Sequence, residues 1–245
     1  EQSRLDKVNK TYKAIVSFLL WRRIPMKAKL AVVRTVLLPI AMYGAEIFGM
    51  RGNCARKMQT VLNKALRLVF GLKHGSNVAN VALWKEAGIP PLCAIAAGRR
   101  ARAWSKSRNL ATYISSIVAT EFVSAKNTWA KYTVTWLRKT FTKDGDLLGE
   151  LKPVDERSEE GGWWHLPPKE LGQLVQKLFW LREEKKGAAR CIYGKRYIEA
   201  SFVSRQITKM NIGIHPGLEF SLGAVARIRL GGLWSAGRQA RVGLL

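Results

Sequence analysis

Met58, Val61, Leu62, Ala65, Leu66 and Val69 recur at spacings of one, three and four residues, and Gly71 follows two positions after the last of them. A helix of 3.6 residues per turn brings all six to one side, and a glycine just past the last apolar position is a common way for such a helix to stop. Asn53 is the expected N-cap. The stripe commits this part of the chain to a helix with one buried face, and the rest must supply what buries it.

The same periodicity recurs on both sides. Leu5, Val8, Tyr12, Ile15, Phe18 and Leu19 predict a helix over 3–21, with Lys7, Lys10 and Lys13 between them. Ile24-Pro25 breaks it, and Pro25 suits the first position of the next helix, where its missing N–H costs nothing. That helix carries Leu30, Val33, Val36 and Leu37 until Pro39, which must kink or interrupt it. The pattern resumes through Tyr43 and Ile47 as far as Gly49. A shorter helix is expected from Asn77 to Ala87, stopped by Gly88, and another from about Pro91. Thr133-Val134-Thr135-Trp136 reads equally as helix or strand. Leu171, Leu174, Val175, Leu178 and Phe179 predict a helix over 169–182, and Leu222 to Leu230 a last short one.

The fold class expected is therefore mainly α: a helical bundle in an N-terminal lobe, 1–143, and a smaller helical or mixed C-terminal lobe, 163–245. An acidic linker at 144–162 joins them, marked by Lys143-Asp144-Gly145-Asp146 at one end and Gly161-Gly162 at the other. The longest apolar stretches, Ala14–Trp21 and Val36–Tyr43, are too short to cross a bilayer. No one-sided basic amphipathic helix at an end suggests attachment to a membrane surface.

Charge narrows the function. The 245 residues carry 42 Lys and Arg against 17 Asp and Glu, a net +25. Residues 1–143 hold 26 basic and 5 acidic residues, the joint 144–160 holds 2 and 7, and 161–245 hold 14 and 5. Self-repulsion on this scale disfavours a compact fold unless a polyanion offsets it, and nucleic acid gains affinity by releasing its condensed counterions.

Catalytic and metal signatures are missing from the sequence. It has no Asp-Asp pair, no G-x-x-x-x-G-K-[ST], no G-x-G-x-x-G and no G-x-S-x-G. His74, His165 and His215 lack metal-ligand spacing, and the acids of 1–143 are too scattered for a two-metal site. Glu46, among apolar neighbours, is expected to pair with an Arg. Cys54, Cys93 and Cys191 are odd in number and far apart, which suits buried free thiols in a reducing compartment. Neither a signal nor a transit peptide is visible at Glu1, as expected of a processed chain or a piece of a longer one. The expectation is a protein that is not an enzyme, with no cofactor and no metal.

The candidate phosphate contacts are basic clusters almost without interspersed acids. Arg99, Arg100, Arg102, Lys106 and Arg108 form the densest, and Arg forks grip phosphate bidentately. Arg56, Lys57, Lys64 and Arg67 lie on the long striped helix, and Arg22, Arg23 and Lys27 at a helix-to-helix corner. Lys195 and Arg196 sit beside Tyr193 and Tyr197. Trp104, Trp129 and Trp136 lie near cations and could stack on unpaired bases, although Trp in such helices is more often core.

An ordered set of short elements adds to this. Ile24-Pro25; Leu37-Leu38-Pro39 with Tyr43-Gly44-Ala45-Glu46; Ala65-Leu66-Arg67 with Gly71; Glu86-Ala87-Gly88-Ile89-Pro90-Pro91; and Arg99-Arg100-Ala101-Arg102 with Trp104 follow one another over about the first 110 residues. Together they resemble the region after the polymerase core in non-LTR (LINE-type) retrotransposon reverse transcriptases, the helical thumb and the connector behind it. Residues Arg227 to Leu245 faintly resemble the stretch before that family's terminal zinc knuckle. The family's aromatic-x-Asp-Asp motif and its Cys/His knuckle are not in this sequence. The resemblance implies a grip on RNA, or on an RNA–DNA duplex, without chemistry.

These readings lead to an expected non-catalytic RNA-binding protein, a retroelement-derived structural subunit of a large ribonucleoprotein such as a mitochondrial ribosome. Its partners would be RNA, ribosomal RNA first, and other ribonucleoprotein subunits, with no membrane. The alternatives are a fragment of an active reverse transcriptase holding template RNA, with a nuclear location, and a helical protein-interaction scaffold.

Overall fold

Helix α1, Gln2–Leu20, forms where the first apolar series predicts it, and buries Val8 and Leu19. The computed structural model describes residues 2–48, 52–72, 78–108, 128–144 and 163–190. These are mainly helical, and no strand occurs among them. No helix among the described residues is long and apolar enough to cross a membrane.

Pro25 caps the second helix from outside, with φ −57° and ψ 144°, and α2 runs Met26–Val32. Its carbonyl accepts the Lys29 N–H at 3.2 Å. Ahead of Pro39 the helix widens into a π-helical turn, Val33–Leu37, in which the Leu38 N–H reaches back to the Val33 carbonyl. A proline ring crowds the carbonyl four residues before it and cannot donate to it. The wider turn takes up that misfit, and α3, Leu38–Ala41, continues beyond it. The interruption expected at Pro39 is thus a change of pitch rather than a break.

Gly44, at φ 66°, ends this run in the left-handed region and re-aims the chain into α4, Ala45–Phe48. Tyr43 and Ile47, expected to prolong the apolar stripe, are instead 77% and 72% exposed.

Helix α5, Gly52–Val69, begins one residue before Asn53, which therefore lies inside the first turn and is not the cap. Its whole apolar series from Met58 to Val69 is buried. Gly71, at φ 64°, closes it in a Schellman motif: the Leu72 N–H donates to the Arg67 carbonyl at 2.8 Å and the Gly71 N–H to Leu68 at 3.0 Å. Helix α6, Asn80–Ala87, starts three residues later than expected and ends in the same motif at Gly88, through the Ile89 and Gly88 N–H groups.

Helix α7 runs Leu92–Arg108, α8 Trp129–Asp144 and α9 Pro168–Arg190, with a short 3-10 turn at Trp163–His165. The ambiguous Thr133–Trp136 stretch is therefore helical.

The chain divides into two compact units. One comprises Glu1–Ala41, Met58–Pro90 and Glu184–Leu245, the other Met42–Lys57 and Pro91–Glu183. Within the first, Asn63 accepts the Trp84 indole N–H at 2.8 Å, and Lys85 pairs with Glu184 at 3.2 Å. The core of the second gathers Ala97, Ala101 and Trp104 of α7, Leu137 and Phe141 of α8, Trp163, and Leu171, Val175 and Leu178 of α9.

That core draws on residues from both sides of the segment expected as an acidic linker, 144–162. Residues on both sides of the acidic segment bury their apolar faces against one another. Charge marks where a chain is solvated, whereas units are set by which apolar stripes meet. Residues 145–162 themselves, and 191–245, which include most of the expected C-terminal lobe and its final helix, lie outside the described residues.

Candidate nucleic-acid interface

The densest basic cluster lies on α7, and its helical geometry splits it. Arg99, Arg102 and Lys106, spaced three and four apart, form one exposed row. Arg100, turned about 100° from Arg99, leaves that row for the buried side of the helix and is 1% exposed. Its guanidinium is fully engaged inside the second unit. Nε donates to Thr133 Oγ1 at 2.9 Å, Nη1 to the carbonyls of Glu46 (3.3 Å) and Ile47, and Nη2 to the Trp129 carbonyl at 3.4 Å. The Trp129 ring lies 5.1 Å beneath it. Arg100 therefore leaves the set of phosphate contacts and is a structural clamp. Glu46 meets this arginine through its main-chain carbonyl, which is not the acid–arginine pairing expected.

Two other members of that cluster are partly committed. Arg99 donates to the Met42 carbonyl at 3.0 Å while remaining exposed, and Arg108 stacks 5.0 Å over the Trp104 ring. Arg102 and Lys106 are exposed and make no hydrogen bond or ion pair among the described residues.

On α5, Arg56 and Lys57 are exposed and Lys64 half-buried. Arg67 is tied down: its Nη2 donates to the Val78 carbonyl at 3.2 Å and to Asn80 Oδ1 at 3.0 Å, and burial lowers its pKa from the ordinary arginine value. At the α1–α2 corner Arg22 and Arg23 are exposed and Lys27 is half-buried. Lys195 and Arg196 lie outside the described residues.

The structure adds a set that the sequence reading missed. Lys131, Arg138, Lys139 and Lys143 all lie on the exposed side of α8, with Thr135, Thr142 and the half-exposed ring of Tyr132. Their spacing of seven, eight and twelve residues was visible, but it becomes one face only once the segment is known to be a helix.

The three tryptophans considered for stacking are all structural. Trp104 is buried against Trp163, with centroids 5.8 Å apart. Trp129 donates its indole N–H to the Glu46 carbonyl at 3.1 Å, and Trp136 packs on Phe179 at 5.7 Å. Among the described side chains the exposed tryptophan is Trp21, at 60%.

Cys93 is in no disulfide and is partly rather than fully buried. No three His, Cys, Asp or Glu side chains among the described residues stand where they could hold a metal ion.

Chemically, these exposed faces offer fixed positive charge and hydrogen-bond donors. No known family model matches the chain, and neither does any curated protein or solved structure.

Proposed function

We propose that the chain is a non-catalytic RNA-binding protein that grips the phosphate backbone, and that it serves as a retroelement-derived structural subunit of a large ribonucleoprotein such as a mitochondrial ribosome. One observation carries the RNA-binding part. Helices α7 and α8 together hold nine Lys and Arg against one acid, Asp144, and of these Arg102, Lys106, Lys131, Lys139 and Lys143 are exposed, their side chains making no hydrogen bond or ion pair among the described residues. A solvated helix face ordinarily mixes signs, because like charges repel and i,i+4 pairs of opposite sign stabilise. A polyanion turns that cost into affinity through counterion release. The ribonucleoprotein assignment rests on the resemblance to the thumb and connector of LINE-type reverse transcriptases, in a sequence without their aromatic-x-Asp-Asp motif.

Native purification of the chain tests the assignment. Ribosomal RNA and ribosomal proteins recovered at fixed ratio support it. Recovery attached to a polymerase, with loosely held RNA, returns the chain to an active retroelement, and binding indifferent to salt sinks the phosphate grip as well.

A further inference from the structure

Trp21 stands at the corner between α1 and α2 with 60% of its surface exposed, beside Leu20 at 57%. A lone exposed leucine needs no explanation. An exposed tryptophan is different, since burying its ring is worth more than burying almost any other side chain. Trp84, Trp104 and Trp163 are buried, and Trp129, Trp136 and Trp180 partly so, which leaves Trp21 as the one exposed indole among the described side chains.

The corner is held from both sides. The Trp21 N–H donates to the Ser17 carbonyl at 3.1 Å as the last turn of α1, and its own carbonyl accepts the Ile24 N–H at 3.2 Å. Pro25 then fixes the start of α2. The ring is thus presented on a constrained turn, and little backbone freedom remains to be lost on binding. Arg22 and Arg23 occupy the two middle positions of that turn, both exposed, and neither makes a hydrogen bond or ion pair among the described residues.

Resting on the RNA-binding reading above, we infer that Trp21 is a stacking platform for an unpaired RNA base, with Arg22 and Arg23 taking the phosphates that flank it. The partner chemistry follows from the pairing of features. An indole face accepts any base, and a guanidinium pair accepts the anionic backbone on either side. An apolar protein partner would use the ring and leave two arginines to be desolvated without counter-charge. The corner therefore adds a preference for single-stranded segments to a phosphate grip that is otherwise indifferent to base pairing.

The experiment uses the full chain with two probes, a single-stranded oligouridylate and a fully paired RNA duplex of the same length, each titrated across a range of salt. Trp21→Ala is expected to weaken oligouridylate binding between about 5- and 150-fold at fixed salt, without changing the salt slope or duplex binding. Trp21→Phe should retain most of the affinity. Arg22→Ala and Arg23→Ala should each flatten the single-strand slope by roughly 0.7. Unchanged thermal unfolding of all four variants separates these effects from misfolding. Wild-type oligouridylate affinity in Trp21→Ala overturns the inference while leaving the phosphate grip standing. So does a Trp21→Ala effect confined to self-association or to anionic phosphatidylserine vesicles. Absence of salt-dependent binding to either RNA by the wild-type chain overturns the RNA-binding reading itself.

Discussion

Arg100 and Thr133 form the buried hinge-pin of the second unit: the guanidinium Nε donates to Thr133 Oγ1 at 2.9 Å, and the same hydroxyl donates onward to the Trp129 carbonyl at 2.6 Å. Through this pair α7 holds α8, and through Nη1 it holds the carbonyl end of α4. A buried charge survives here because carbonyls and a hydroxyl replace water around it.

Removing either partner strands the other. Thr133→Val keeps the shape but leaves the Nε donor unpaired, and is expected to cost about 1–3 kcal/mol. Arg100→Ala also opens a cavity and takes the guanidinium donor from the Glu46 and Ile47 carbonyls, leaving Glu46 only the Trp129 indole N–H, so roughly 3–5 kcal/mol is expected. Arg100→Lys should not rescue it, since a lysine cannot reach three directions with one ammonium. Urea unfolding measures all three, and loss of RNA affinity without loss of stability in Arg100→Ala would show that the clamp is not structural.

A second prediction concerns the crossing of α7 and α9. A Cβ built on Gly98 would sit 2.6 Å from the Gly172 carbonyl oxygen, and one on Gly172 would sit 2.9 Å from Arg102 Cβ and 3.0 Å from the Gly98 oxygen. In an open helix Gly→Ala stabilises by roughly 1 kcal/mol. Here the sign reverses, because backbone cannot move aside as a side chain can. Gly98→Ala and Gly172→Ala are each expected to lower stability by about 1–3 kcal/mol, read as a fall in the urea midpoint. A rise in the midpoint would mean that the two helices are not in backbone contact.

Lys29 supplies a pH prediction. It is buried on α2, and burial lowers its pKa from the ordinary lysine value of 10.5. The unfolded chain therefore holds this proton more tightly than the folded one. Stability must rise with pH across the window between the lowered folded pKa and 10.5, and the burial cost is fully felt below it. Lys29→Met should raise the melting temperature at neutral pH, and its advantage should shrink as pH approaches 10.5. Tyr12, whose pKa burial raises, works in the opposite sense above pH 10, so the difference between wild type and Lys29→Met is the quantity to follow. A pH-independent difference would remove Lys29 titration from the account.

The readable and unreadable parts of this fold differ for physical reasons. The α5 stripe and its stop at Gly71 were legible because periodicity and a left-handed glycine are local features. Arg100 was not, since it differs from Arg99 and Arg102 only in the rotation that its helix imposes. Helix α8 was obscured by Thr133, Val134 and Thr135, whose branching favours strands. In the fold, Thr133 spends its hydroxyl on the carbonyl four residues back and on Arg100, a long-range partner that no local pattern shows. Tyr43 and Ile47 fit the apolar period but not the burial, because Gly44 turns the chain between them. Acidic composition at 144–160 carries no sign of the packing of Phe141 on Trp163 at 5.2 Å, or of both with Leu171 and Val175, since such contacts depend on which apolar faces meet.

The exposed cations of α7 and α8 give the sharpest test of function, because their effects on stability and on binding should separate. The side chains of Arg102, Lys106, Lys131, Lys139 and Lys143 make no hydrogen bond or ion pair among the described residues, so replacing any of them with Gln should change stability by no more than about 0.5 kcal/mol. Each one that meets a phosphate of duplex RNA should reduce the slope of log affinity against log salt by roughly 0.9. The fivefold variant is therefore expected to bind much more weakly at low salt and to converge with wild type as salt rises. The Thr133→Val variant should do the reverse, losing stability while keeping the slope. A fivefold variant with the wild-type slope would show that these faces are solvated surface only, and that the charge of this chain serves something other than a phosphate backbone.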